Sequence, residues 1–230
     1  MLGACRQSYT ADIVRGANTV YDIRESSFDD FVAFLFERDI PPEKSRPWYW
    51  NAQVIFDLDR VCEYYVRMFR EPEFLVERFS KGQLEQGFWA IQSSTLGCSA
   101  YRLVWNTDLP FARREECVRS MLLLFRNLFA TEPLVNAVCM WWDSFCYDWH
   151  CGNRKRERGG EDAAMQEVMF ETLTQILALP SEICQGAAIH GLSHLHHPAA
   201  GEAIRSYLEH PDLNEEWRHA ALGAARFDLM

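Results

Sequence analysis

Gly186–Phe227 reads GAAIHGLSHLHHPAAGEAIRSYLEHPDLNEEWRHAALGAARF. Two prolines, Pro198 and Pro211, divide it. Proline cannot continue a helix, so each marks a turn between helices. Helices are predicted near Glu182–His196, Ala199–Glu209 and Glu215–Phe227, with Ser181 and Asn214 as candidate N-caps. Ala187-Ala188 with Gly191-Leu192 returns 33 residues later as Ala220-Ala221 with Ala224-Ala225. Small residues at i, i+1, i+4 and i+5 allow one helix to approach another closely. Such a helix cannot bury its face alone, so it must stack on neighbours.

The pattern extends toward the N-terminus. Glu161–Leu179 reads as a further helix, ended by Pro180. Before it, Cys151–Gly160 (CGNRKRERGG) reads as a solvated loop. Pro133 opens a predicted helix reaching Trp149, and Pro110 opens another running to about Ala130. Leu58–Arg70 carries Leu58, Val61, Cys62, Tyr65, Met68 and Phe69 at helical spacing. Pro72 fits the first position of a short helix holding Phe74 and Leu75, and Ser80 caps a helix bearing Leu84, Phe88 and Ile91. Ser27, with Asp30 three residues on, has the form of a capping box. Pro41, Pro42 and Pro47 make a loop before Trp48-Tyr49-Trp50.

These signals predict one all-α domain over 1–230, with about nine helices and no strand pair. It divides into an extended lead-in (1–26), an aromatic-rich helical part (27–150), the loop (151–160) and a second helical part (161–230). Short links imply stacked antiparallel helix pairs, either a HEAT/ARM-like right-handed αα-superhelix or an irregular helical bundle.

Over about residues 181–228 the sequence resembles short HEAT-like repeats of the PBS-lyase type. The shared grammar is a small pair, Gly-Leu, a proline turn and a second helix. The resemblance implies an αα-superhelix with a concave face for a partner, and no particular activity. Some HEAT-like enzymes hold iron through His-Glu dipeptides, and no His-Glu pair occurs here. The chain as a whole resembles a bacterial protein group to which no role is attached.

Composition narrows the classes. Of 230 residues, 48% are hydrophobic and 24% charged, as in ordinary globular domains. The formal net charge of −10 repels phosphate backbones, so nucleic acid is not an expected partner. A basic protein partner suits that charge better. No apolar run is long enough to span a bilayer, so no membrane partner is expected. Eight cysteines at irregular spacing, without any CxxC, suggest buried thiols in a reducing, cytoplasmic setting. P-loop, GxGxxG, GxSxG, HExxH and zinc-finger spacings are all lacking.

Three groups of side chains invite chemistry. His190 and His194 stand at i, i+4, the spacing that lets two imidazoles hold one ion, and His197 could join them. A third ligand must come from elsewhere in the chain. The competing reading is packing and hydrogen bonding near a helix end. The run from Trp141 to Cys151 sets Trp141 and Trp142 around Asp143 and Asp148, as a binding surface or as an aromatic core whose indole N–H groups bond the carboxylates. Trp48 and Trp50 form a ligand platform if exposed and a plug if buried.

The leading expectation is a non-enzymatic helical interaction module without cofactor or metal, immunity- or inhibitor-like, gripping a basic partner through Trp48, Trp50, Trp141, Trp142, Asp143 and Asp148. The alternative is a metal-dependent hydrolase or small-ligand enzyme centred on His190 and His194, with Asp143 or Asp148 assisting.

Overall fold

The computed structural model describes residues 19–40, 45–132, 134–211 and 213–228. Most of the lead-in, Cys5, Pro41, Pro42 and Pro133 lie outside them. In chain order the elements are β1 (Thr19–Asp22), α1 (Phe28–Phe36), a 3-10 turn (Trp48–Trp50), β2 (Ala52–Ile55), α2 (Leu58–Arg70), α3 (Phe74–Arg78), α4 (Lys81–Gln92) and α5 (Ala100–Val104). Then come α6 (Phe111–Leu124), a π-helical turn (Phe125–Phe129), α7 (Val135–Cys139) and α8 (Trp141–His150). A second 3-10 turn (Arg156–Arg158) leads to α9 (Gly160–Leu177), α10 (Glu182–Leu195), α11 (Ala200–Leu208) and α12 (Glu215–Asp228).

Local chemistry accounts for the ends. Ser27 and Ser80 both close capping boxes, with Asp30 and Gln83 as reciprocal partners. Asp57 accepts the Arg60 N–H at 2.8 Å and starts α2, and Arg67 and Arg70 sit favourably in its last turn. Asn214 accepts the N–H groups of Glu216 and Trp217 at 2.8 and 3.3 Å. Ser181 occupies the N-cap of α10 without a capping hydrogen bond from its side chain. Pro72 lies one residue before the Glu73 cap of α3, not at the first helical position.

Further expectations fail, and the described residues form twelve α-helices where about nine are expected. The described residues do contain a strand pair: β1 and β2 run parallel, with Thr19 opposite Ala52 and Asp22 opposite Ile55. The helix expected to run to Trp149 is two helices, broken at Met140 without proline or glycine.

A continuous core runs from Ile23 to Ala221. Helix α2 packs on α6, α6 on α9, α9 on α10 and α10 on α8. Trp141 is the aromatic hub. Its ring meets Phe69, Phe88, Phe129 and Phe145 at centroid distances of 5.8, 6.0, 5.7 and 5.6 Å. Edge and tilted pairs of this kind add roughly 0.5–1.5 kcal/mol each beyond burial.

Helix α10 is central, touching α7, α8, α9, α11 and α12. Its small residues explain the closeness. Ala187 and Ala188 are fully buried. A Cβ on Gly191 would lie 2.5 Å from Trp142 Cβ and 2.8 Å from Leu173 Cδ2, so only glycine admits both neighbours. His196 ends the helix in the left-handed region, φ 52°.

Candidate functional site

Trp142 lies in close contact with Gly191, and the effect is felt one residue forward on α8 and one residue back on α10. It brings Asp143 of α8 beside His190 of α10. The Asp143 Oδ1 atom lies 3.0 Å from His194 Nδ1 and 3.5 Å from His190 Nε2. Taken one from each residue, the three donor atoms all fall within 4.8 Å of one another. His194 is buried, whereas His190 and Asp143 are partly open to solvent. Hydrogen bonding to His190, and then to His194, holds the Asp143 carboxyl well below the usual carboxylate range, against the opposing effect of burial.

More imidazoles surround this group. His150 stacks on His194 at 4.3 Å between centroids, and His190 lies 4.4 Å from His194 on a tilted plane. His196 meets His150 edge-on at 5.6 Å. Four histidines thus form a chain of ring contacts, and two of them, His190 and His194, face the Asp143 carboxylate.

His197 is not among them. The Ala199 N–H donates to its Nδ1 at 3.2 Å, leaving the ring proton on Nε2, 3.2 Å from Glu167 Oε2. Phe170 stacks on the ring at 4.0 Å. Both nitrogens are committed, which removes His197 as a ligand. Arg156 and then His197 hold the Glu167 carboxyl below its usual range.

On its other side Asp143 faces a cleft of about 550 Å³. Helix α8 supplies Asp143, Ser144, Tyr147 and Asp148, a stripe at i, i+1, i+4 and i+5. Trp89 and Gln92 come from α4, Tyr101 from α5, and Tyr49 and Trp50 from the first 3-10 turn. Ser93, Ser94 and Thr95 complete the lining, so none of the described lining residues is Lys or Arg. Trp50 and Tyr147 are exposed at 55% and 51%, unusual for such large rings. Ser144 donates to Gln92 Oε1 at 3.3 Å, and Gln92 Nε2 donates to the Ala137 carbonyl at 3.1 Å, which holds the cleft floor in place.

The structure divides the sequence candidates. Trp50, Asp143 and Asp148 line the cleft. Trp141 and Trp142 are fully buried and can touch no partner. The Trp141 N–H meets Met121 Sδ at 3.4 Å, not a carboxylate. Trp48 packs edge-on against Phe34, and its face is covered by the Arg38 guanidinium at 4.2 Å. It therefore carries the chain's own cation.

Two arginines of the Cys151–Gly160 stretch are likewise occupied. Arg154 pairs with Asp148 and Asp162 and lies 3.8 Å over the Trp105 ring. Arg156 pairs with Glu167 at 2.9 Å. The cleft residues Trp89 and Tyr101 carry no sequence signal beyond aromaticity, whereas Tyr147 lies within the Trp141–Cys151 run.

Comparison with protein-family models, curated proteins and solved structures finds no match. Among the described residues no helix is long and apolar enough to cross a membrane.

Proposed function

We propose that the chain is a non-enzymatic interaction protein built of stacked helix pairs, and that its cleft receives a basic side chain of a protein partner. One observation carries this reading. Exposed rings share a cleft with the Asp143 carboxylate and with Asp148, itself paired to Arg154, and the described lining contains no Lys or Arg. A guanidinium or ammonium group gains there from the face of an aromatic ring, by about 0.5–1 kcal/mol per ring at exposed sites, and from nearby negative charge. The net charge of −10 attracts such a partner at longer range. The chain uses the same chemistry internally: Arg38 lies over Trp48, Phe34 and Tyr21, and Arg154 over Trp105.

Packing of the Ala- and Gly-bearing α10 against α9, α11 and α12 supports a HEAT-like arrangement of the C-terminal helices. Five of the described cysteines, Cys62, Cys98, Cys117, Cys146 and Cys184, are buried free thiols, which supports a reducing, cytoplasmic setting.

The test is calorimetric titration with a nona-arginine peptide. Binding saturates and weakens with added salt. Trp50→Ala and Tyr147→Ala leave the net charge unchanged, so any loss reports the cleft and not general attraction. Each weakens binding by about two- to fivefold. Unchanged affinity in both variants would refute the reading.

A further inference from the structure

We propose that Asp143, His190 and His194 form a binding site for one divalent transition-metal ion, of which zinc is the probe of choice. The inference does not rest on the docking reading. His190 and His194 lie outside the cleft lining, and only Asp143 belongs to both.

Spacing is the first argument. Ligand atoms about 2.0–2.1 Å from a tetrahedral ion stand about 3.3 Å from one another. The Asp143 oxygen already stands 3.0 and 3.5 Å from the two imidazole nitrogens. Two of the three edges thus already have the length a tetrahedral ion requires, the third is no longer than 4.8 Å, and binding requires the loss of any proton from the two facing nitrogens.

Donor chemistry is the second. Two imidazoles and one carboxylate form a set of borderline hardness that suits zinc, iron(II) or cobalt(II) better than magnesium or calcium, which prefer oxygen alone.

The surroundings are the third. The His150 ring stacks on His194 at 4.3 Å, and the His190 ring lies tilted against it at 4.4 Å. The His150 stack fixes the plane of His194. The partly exposed His190 leaves a route from solvent, and the three residues leave a fourth position for water. Simple hydrogen bonding of Asp143 to two histidines is the competing account, and it predicts no metal.

Chain purified without a histidine tag and treated with chelator is titrated with zinc and, separately, with cobalt(II). Expected are one ion per chain, a rise in melting temperature with zinc, and a cobalt spectrum of four-coordinate type without thiolate charge transfer. His190→Gln and Asp143→Asn raise the apparent Kd by more than about 100-fold, a loss beyond that of an outer-shell change. His219→Ala, at an exposed position, leaves it unchanged. Circular dichroism confirms that both ligand variants are folded. Should either lose its fold, His190→Ala and Asp143→Ser are read in its place.

The proposal is overturned by absence of saturable one-to-one uptake. It is equally overturned by uptake that the ligand variants leave within about threefold, or by a thiolate signature that moves the ion to a cysteine. Arginine-peptide binding in His190→Gln separates the two readings. It persists there if the docking reading holds, whatever becomes of the metal.

Discussion

The two faces of α8 are made from ten consecutive residues and behave as different materials. Trp141, Trp142, Phe145, Cys146 and Trp149 point inward and are almost wholly buried. Asp143, Ser144, Tyr147 and Asp148 line the cleft. A helix normally separates apolar from polar positions. Here the inner face is so heavily aromatic that it fixes the helix against α10, and that fixed position gives the outer polar face its geometry. A loosely packed helix could not hold Asp143 within 3.0 Å of His194.

The largest expected contrast lies between two cysteines of this segment. Cys146 is fully buried, and burial pushes its thiol far above the usual range. Cys151, the C-cap, is exposed. Thiolate is the reactive form. Iodoacetamide at pH 8, followed by peptide mass spectrometry, should modify Cys151 within minutes. Cys146 waits for unfolding and should react at least about 1000-fold more slowly, given an ordinary domain stability. Comparable rates would mean that the inner face is not packed as described.

Substitution on the inner face should be the costliest of the mutations. Trp142→Ala removes a ring that contacts Phe125 and Phe145 and lies against Gly191. A loss of about 3–5 kcal/mol is expected in urea denaturation. A loss under about 1 kcal/mol would show that α8 is held by something else.

Gly191→Ala tests the contact from the facing helix. Alanine is the better helix former by about 1 kcal/mol. The new methyl meets Trp142 Cβ, next to backbone, and cannot be accommodated by a rotamer change. Overpacking of this sort costs about 1–3 kcal/mol, so a net loss is expected despite the helix propensity. The same shift moves Asp143 away from His190, so zinc affinity should fall along with stability. A stabilised variant would show that the helices have room to spare.

Parts of this arrangement were legible in the sequence. Ser27, Ser80 and Asn214 cap as their spacing predicts, and α2 keeps the bounds Leu58–Arg70 that its apolar positions draw. Ala187, Ala188 and Gly191 mark close packing because their smallness has no other use on an apolar helix. Local signals could not show the pairing of β1 with β2, since each has four residues and the partner lies beyond a whole helix. Nor could they show the break at Met140, where tertiary packing and not a breaker residue ends the helix. The i, i+4 pair of His190 and His194 was visible. Its carboxylate was one of two acidic candidates on α8, and the choice of Asp143 over Asp148 depends on which face meets α10. Asp148 turns instead to Arg154, 3.3 Å away.

The outer face supplies the smallest expected effect on stability and therefore the sharpest control. Tyr147 is about half exposed and stands one turn from Asp143, on the cleft side of α8. Removing an exposed side chain seldom changes stability by more than about 0.5 kcal/mol. Tyr147→Ala should thus unfold at nearly the wild-type urea concentration while losing affinity for the arginine peptide. If it instead destabilises the chain by an amount near that of Trp142→Ala, the two faces are one continuous core. The cleft would then be a seam in packing, with Asp143 held by its histidines for structural reasons alone. If stability is kept and peptide affinity falls, the outer face has a use that the fold does not require of it.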